Sequence, residues 1–521
     1  MERTSFEQRN EKIATELFPI TEEQKREMIL AKENAEQQYK QKIGDEKKDD
    51  SNNFREYNID QDFFLVIERK KFLDSQHPAA IIDLVVERLD LRRIIASYSK
   101  EGNPSYNPCM MLKILFYAYY LGIMSCRTIW DSVIHRSDFI FLSCGQVPNF
   151  RTINAFRIRH IDEIPGLFTQ IVMLCKELGM IGFEYLAVDG QKIQGNASYT
   201  ESKTIGEMKK EYERVKVGIE KIVNSEVQEY VSQDKKDLRI EKLEKKLDKL
   251  AGFISSFDGK IDEKERINMT DIDAKVMTHK DGQKLPSYTH QSARDSLLGV
   301  VTAVQTTQNG DMPTDLEILL DQSTENSGET HEKVMADCGF CDYEMLVKVE
   351  EERDEDLYLP DRRLESSKDG KTASGKYQQE AFTKDAKGNY VCPHGLKMEL
   401  KNTVAHEDGH KVFVYHGTGC SECPLKTKCC IGKVRTISID SRMPYRDLMR
   451  KKLATDAGRE IYSKRQGLIE SLHGDDQKNK KWIQHHLRRL KKAALEFLLI
   501  RIAGNLGLII KHRADVVIAF A

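Results

Sequence analysis

No uncharged apolar run in the 521-residue sequence reaches the roughly 18 residues that a membrane-spanning helix requires. The nearest candidate, from Leu495 to Ile510, is interrupted by Glu496, Arg501 and Asn505. No secretory signal precedes the charged start of the chain. These features predict a cytoplasmic protein and argue against a membrane partner.

The sequence also has little net charge, −2 at pH 7, so the overall charge does not indicate a nucleic-acid partner. The distribution of charge does, because residues 433–513 contain 20 Lys and Arg residues against 8 Asp and Glu residues. Such a segment can hold a polyanion such as DNA. The alternative interpretation is a solvated helix face, on which basic residues also cluster.

Eleven cysteines in a cytoplasmic protein indicate reduced thiols or a metal site rather than a disulfide framework. Four of them lie in a glycine-rich region of short alternating strands: Cys392, Cys420, Cys423 and Cys429. The Cys420–Cys423 spacing allows two thiolates to bind one tetrahedral Zn²⁺, and the other two cysteines can complete the site. His394 and Cys430 are the competing ligands. Four thiolates leave no open position, so the predicted zinc is structural.

The length of the chain allows three or four domains, and composition changes along the sequence suggest where they divide. The first part is a polar extension, followed by apolar residues at helical spacing in which Pro104 and Pro108 separate helices. The predicted segments are 1–60 (polar extension), 61–165 (helical domain), 166–350 (first part of the catalytic domain), 351–432 (β-rich insertion) and 433–521 (last part of the catalytic domain).

A helical hairpin is predicted within residues 201–255. Apolar residues there recur at intervals of three and four, which is the spacing of one helical seam. The first series is Met208, Tyr212, Val215, Ile219 and Ile222, and the second is Ile240, Leu243, Leu247 and Leu250. The sequence leaves open whether this hairpin contacts a second protomer, DNA or only itself.

Two aspartates, Asp189 and Asp337, are predicted to end short apolar strands, each next to a glycine-containing turn. Glu470 follows on a helix, from which it should project opposite the apolar face formed by Ile461, Leu468 and Leu472. Carboxylate oxygens that converge on one point suit Mg²⁺. A single aspartate at a strand end is more often a turn or cap residue, so the prediction depends on the wider sequence.

Six sequence blocks provide that wider pattern: Asn103 to Pro108, Pro148 to Arg157, Val188 to Ser198, Lys280 to Gln291, Ala336 to Phe340 and Gly458 to Glu470. In this order, from about Pro104 to about Lys511, the chain resembles the bacterial insertion-sequence transposases of the DDE class, cut-and-paste type. The resemblance implies an α/β fold, a ribonuclease H-like mixed sheet flanked by helices. It also implies an N-terminal helical DNA-binding domain, and the helical hairpin and the small cysteine-containing β region would be insertions.

The resemblance further implies roles for particular residues. Asp189, Asp337 and Glu470 would be catalytic and would bind two Mg²⁺ (or Mn²⁺) ions. Transposon DNA would be contacted by Tyr462, Arg465 and Lys478, and by the helical-domain residues Arg127, Arg157 and Arg159. Two positions depart from the family pattern, because His473 stands where Phe is usual and Gln477 where Lys is usual, with Lys478 one place later.

The implied function is a bacterial transposase that binds the terminal inverted repeats of its element and joins their 3′ ends to target DNA. It would be a homodimer on double-stranded DNA, associated with the nucleoid. Two alternatives remain at this stage: a catalytically silent DNA-binding protein derived from a transposase, and a metal-dependent nuclease without strand transfer.

Overall fold

A computed structural model describes residues 73–99, 101–224, 233–310, 312–362 and 377–519. The predicted polar extension, residues 1–60, lies outside this part of the chain. Before the first strand, the described residues form these α-helices: α1 (Pro78–Glu87), α2 (Arg92–Ala96), α3 (Pro108–Tyr120), α4 (Cys126–His135), α5 (Ser137–Ser143), α6 (Phe150–Arg159) and α7 (Ile164–Glu177).

The starts of these helices follow from local sequence. Helix α3 begins at Pro108, as predicted, and the side chain of Asn107 accepts a hydrogen bond from the Cys109 amide. Helix α6 is capped in the same way by Asn149, which accepts from the amides of Arg151 and Thr152. Caps of this kind satisfy amides that the first helical turn leaves without partners.

The chain then forms β1 (Tyr185–Gln194), β2 (Ser202–Lys203), α8 (Ile205–Asn224), α9 (Gln233–Phe257), β3 (Ile267–Asn268), β4 (Lys275–Thr278), β5 (Lys284–Asp295), β6 (Val301–Thr307), α10 (Pro313–Ser327), β7 (Lys333–Ala336), α11 (Tyr343–Glu351) and β8 (Asp356–Tyr358). Six strands make one mixed sheet in the order β4-β5-β1-β7-β8, with β6 also paired to β5. Strand β1 is parallel to β7 and antiparallel to β5, and β7 is parallel to β8.

Helices α8 and α9 lie between β1 and β5, almost wholly within the segment for which a helical hairpin was predicted. Ion pairs join the two helices, Glu211 to Lys246 at 2.6 Å and Lys209 to Asp258, just after α9, also at 2.6 Å. A small apolar core that includes Met208 and Leu250 closes the base of the hairpin. The base of the seam therefore packs within one chain, whereas Ile222 and Leu243, nearer the tip, are only half-buried.

The cysteine-containing region contains β9 (Thr383–Lys384), β10 (Tyr390–Val391), β11 (Met398–Ala405), β12 (Lys411–Gly417), α12 (Lys426–Cys429) and β13 (Thr436–Asp440). Strands β11, β12 and β13 form an antiparallel sheet. The small sheet therefore does not coincide with the predicted segment 351–432. Strand β8, inside that segment, belongs to the main sheet, whereas β13, outside it, completes the small one.

The chain continues with α13 (Met443–Ala454), α14 (Asp456–Gly474) and α15 (Leu490–Ala519). Helix α15 is the one described helix long and apolar enough to cross a membrane, but most of its apolar window is buried within the protein. It packs against α1, α3, α7 and β6. A single apolar core thus joins the N-terminal helices to α15, and the predicted boundary near residue 165 does not separate two cores.

Candidate active site

Asp189 and Asp337 lie next to each other at one edge of the parallel strand pair β1 and β7. The last paired residues of these strands are Val188 and Ala336, so each aspartate is the next residue on its strand. Carboxyl ends of parallel strands are where α/β sheets usually place their ligand sites. The structure corrects one detail: Asp189 does not end its strand, because β1 continues to Gln194 in antiparallel pairing with β5.

A guanidinium group bridges the two aspartates. Arg465, on α14, places Nη1 3.4 Å from Oδ2 of Asp189 and Nη2 3.5 Å from Oδ1 of Asp337. The three side chains are each between 18% and 31% exposed, so the cluster is reachable from solvent. In this conformation Arg465 contacts both carboxylates.

Glu470 is on the same helix as Arg465 and is exposed. Its Oε1 accepts a 2.9 Å hydrogen bond from Nε2 of Gln466, one helical turn earlier. Among the residues that the structure describes, no three His, Cys, Asp or Glu side chains are grouped so that they could hold a metal ion. The structure therefore brings together two of the three predicted carboxylates and leaves the third facing solvent on α14.

Helix α14 is held over the sheet by contacts that sequence reasoning missed. The Arg294 guanidinium, from β5, donates to the carbonyl oxygen of Leu468 and, at 2.7 Å, to Oγ of Ser471. The buried residues of α14 include Ile469 and Leu472. These contacts fix the helix segment that carries Glu470, and the sequence holds no local signal for them because Arg294 is far away in the chain.

His473, one helical turn after Ile469 on α14, is half-buried. Burial lowers the pKa of His473 to about 4, and the positive charges of Arg501, Lys280 and Arg465 act in the same direction. Its Nε2 atom is buried without a hydrogen-bond partner among the described residues. A neutral ring in this position occupies the kind of environment that suits Phe, the residue usual in the family.

A π-helical turn, Asp475–Asn479, follows α14, and the Lys480 amide donates to the Asp475 carbonyl five residues back. A π turn uses one more residue per turn than an α-helix. Lys478 lies within this turn, so its angular position differs from the one that residue 478 would have in an uninterrupted α-helix.

The π turn contributes one member of a buried ion pair, Asp476. Asp476 accepts hydrogen bonds from Arg501 on α15 and, at 2.7 Å, from Nε2 of Gln191 on β1. Both charged side chains are at most 1% exposed. The pair ties the end of the α14 segment to α15 and to the strand that carries Asp189.

The three arginines predicted to bind DNA from the helical region have different environments. Arg127 and Arg159 are exposed. Arg157 is only 2% exposed, and its guanidinium donates to Oη of Tyr119 at 2.8 Å and to Oδ1 of Asn154 at 2.8 Å. Arg157 therefore supports the helical core in this structure, and its expected place on the DNA-facing surface is not observed.

The four cysteines predicted to bind zinc line one small cavity, together with His394 and Arg435. Burial raises the pKa of the Cys429 thiol, and neighbouring Cys430, Cys420 and Cys392 add to this effect while Arg435 opposes it. The side chains converge on the cavity without forming a metal-ligating group among the described residues. The predicted zinc is not supported by this arrangement as it stands.

Comparison with known families adds independent information. Residues 67–159 match the family described as a transposase domain (DUF772), and residues 391–510 match the family described as a transposase DDE domain. The second match contains Arg465 and Glu470. No curated protein and no solved structure matches the chain. A DDE transposase domain implies a DNA substrate and the use of divalent metal ions. Together, the two matches support an insertion-sequence DDE transposase.

Proposed function

We propose that the protein binds the terminal inverted repeats of its insertion sequence, cleaves DNA at the element ends and joins the 3′ ends to target DNA. The main support is the pairing of Asp189 and Asp337 at the ends of the parallel segment of β1 and β7, with a cation held between them. Two adjacent carboxylates that hold a positive charge have the oxygen donors that a divalent cation prefers. The protein would act in the bacterial cytoplasm, on the nucleoid.

We also propose a ribonuclease H-like catalytic domain. Supporting this is the mixed sheet itself, in which β1 lies between the antiparallel β5 and the parallel β7. The first carboxylate is on β1, the second follows β7, and the third is on a helix, α14, that packs on both strands. The helical hairpin and the cysteine-containing sheet enter between these elements without interrupting the paired strands.

Asp189, Asp337 and Glu470 are the residues that would hold two Mg²⁺ or Mn²⁺ ions. Their hard oxygen donors suit these ions, and the aspartate pair already attracts a cation, so this donor set fits the group. Bound ions would activate the attacking oxygen and stabilise the leaving oxygen of a phosphodiester. The role of the chain would be to fix the two aspartates through β1 and β7, with Glu470 joining them from α14.

DNA phosphates would be bound around this site by Tyr462, Arg465 and Lys478. Supporting the assignment of Lys478 is its position in the π turn directly after α14, the helix that carries Arg465 and Glu470. The basic character of residues 433–513 supplies a field that attracts the DNA backbone.

A gel assay with duplexes from the element's own ends tests the proposal against its alternatives. The transposase should bind, cut and join these ends in Mg²⁺. Binding without cutting would identify a catalytically silent derivative, and cutting without joining would identify a nuclease. Either of those results would contradict the proposed function.

The exposed and buried arginines of the helical region should respond differently to substitution. Arg127→Ala and Arg159→Ala should each weaken DNA binding, because each removes one phosphate contact. Each should also lower the salt dependence of the affinity by about one released counterion. Arg157→Ala should instead lower the free energy of unfolding by at least about 2 kcal/mol, because buried hydrogen bonds to a charged group are lost. DNA titrations at several salt concentrations and denaturant unfolding measure the two effects. If Arg157→Ala had normal stability and reduced DNA affinity, Arg157 would be a DNA-binding residue and not a core residue.

We propose that the cysteine cavity takes up a structural zinc, since Cys392, Cys420, Cys423 and Cys429 all line this one small space. Binding would draw the thiolates into a tetrahedron and stabilise the small sheet. Elemental analysis should find about one zinc per chain, lost in the double variant Cys420→Ser with Cys423→Ser. Cys126→Ser, in the helical region, is the matched control and should keep the zinc. If elemental analysis found no zinc in protein purified without chelators, the proposal would be wrong.

We propose that the protein acts as a homodimer on paired ends, because transposition joins two ends to one target and each chain offers a single set of catalytic carboxylates. The hairpin of α8 and α9 packs its base, with Met208 and Leu250, within one chain. Light scattering on the DNA complex tests this, and one chain per complex that still joins both ends would contradict it.

A further inference from the structure

Arg465 is in an unusual position for a residue expected to bind DNA. Its two terminal nitrogens face one oxygen of Asp189 and one of Asp337, at 3.4 and 3.5 Å. These distances exceed those of well-formed charge-assisted hydrogen bonds, which are about 2.7–2.9 Å. At these distances the guanidinium forms long ion pairs with both carboxylates.

The same two carboxylates are the proposed metal ligands. Divalent ions and the guanidinium compete for the same carboxylate oxygens, since like charges at this separation repel. Without any cation, the two adjacent carboxylates would repel each other. Arg465 therefore stabilises the metal-free site and opposes metal entry at the same time.

We propose that Arg465 is an internal cation that competes with divalent metal ions for the Asp189–Asp337 pair. Arg465 is a positioning residue: it holds the two carboxylates together when no metal is present and leaves them as ions bind. The DNA-free protein then binds divalent ions weakly, which limits the cleavage of DNA other than its substrate. This inference rests on the proposed metal site.

Helix α14 supplies a matched control. Lys464 precedes Arg465 and carries the same charge, but its Nζ lies 3.0 Å from the hydroxyl of Tyr185. Arg465→Gln and Lys464→Gln remove the same charge from adjacent positions on one helix. Only the first removes the bridge between the aspartates.

The test is Mn²⁺ binding to the full-length, DNA-free protein, followed by electron paramagnetic resonance of the unbound ion. Arg465→Gln should bind Mn²⁺ roughly tenfold more tightly than the unaltered protein, because a competing charge is removed. Lys464→Gln should bind as the unaltered protein does. Arg465→Lys, which keeps the charge without its two-pronged shape, should fall between the unaltered protein and Arg465→Gln. Unchanged or weaker binding by Arg465→Gln would overturn the inference.

Asp189→Asn separates this failure from failure of the proposed function. If Asp189→Asn abolishes Mn²⁺ binding while Arg465→Gln leaves it unchanged, the metal site stands and the competition is refuted. If neither the unaltered protein nor Arg465→Gln shows Mn²⁺ binding that depends on Asp189, the metal site and the competition are both refuted.

Discussion

Asp189→Asn, Asp337→Asn and Glu470→Gln should each abolish DNA cleavage while leaving binding to the element ends near normal. Each substitution removes a proposed metal ligand, whereas most of the affinity comes from phosphate contacts elsewhere. The loss of cleavage should exceed the roughly 10- to 100-fold that changes next to metal ligands cause. Cleavage rates in Mg²⁺ and gel-shift affinities on the same duplex measure the two quantities.

The control is Asp342→Asn, since Asp342 follows the same strand as Asp337 but caps α11 by accepting from the Met345 amide. That variant should retain cleavage. A variant of any of the three carboxylates that cuts at the unaltered rate would remove that residue from the site. Glu470 is the sharpest case, because the structure leaves it exposed on α14.

Arg501→Met should lower the free energy of unfolding by about 3–5 kcal/mol, because it leaves the buried carboxylate of Asp476 without its main counter-charge. Both side chains are at most 1% exposed, so water cannot replace the lost partner. Denaturant unfolding measures the change. Combining it with Asp476→Leu should restore part of the stability, since the uncompensated charge is then gone.

Arg459→Met is the matched control for this pair. Arg459 also forms an ion pair with an aspartate, Asp456, at 2.7 Å, but the arginine side chain is 66% exposed. Exposed pairs contribute little to stability because water and salt screen them. An Arg501→Met variant as stable as Arg459→Met would show that the buried pair does not anchor α14 to α15.

The sequence predicted the elements that depend on local patterns. The apolar spacing that begins at Met208 predicted the hairpin, and Pro108 predicted the start of α3. The continuation of β1 past Asp189 was not predictable, because it depends on pairing with β5, about a hundred residues away. Strand β8 fell inside the predicted β-rich insertion, because its place in the main sheet depends on pairing with β7 on the far side of α11.

At the candidate site, two missed details did have local signals. Arg157 lies one helical turn after Ile153, a buried residue, and so shares its buried face. His473 likewise follows the buried Ile469 by four residues. The bridge from Arg465 to Asp189 and Asp337 had no such signal, because it joins three distant segments of the chain.

The shared core of the N-terminal helices and α15 has a consequence for biosynthesis. Helices α1 to α7 leave the ribosome hundreds of residues before α15, against which α1, α3 and α7 pack. Until α15 emerges, their apolar surface lacks its partner and is open to aggregation or to chaperones. A chain released before residue 490 would carry the DNA-binding helices without a complete core. Premature termination of the gene would thus yield material for proteolysis rather than a stable fragment that competes for the element ends.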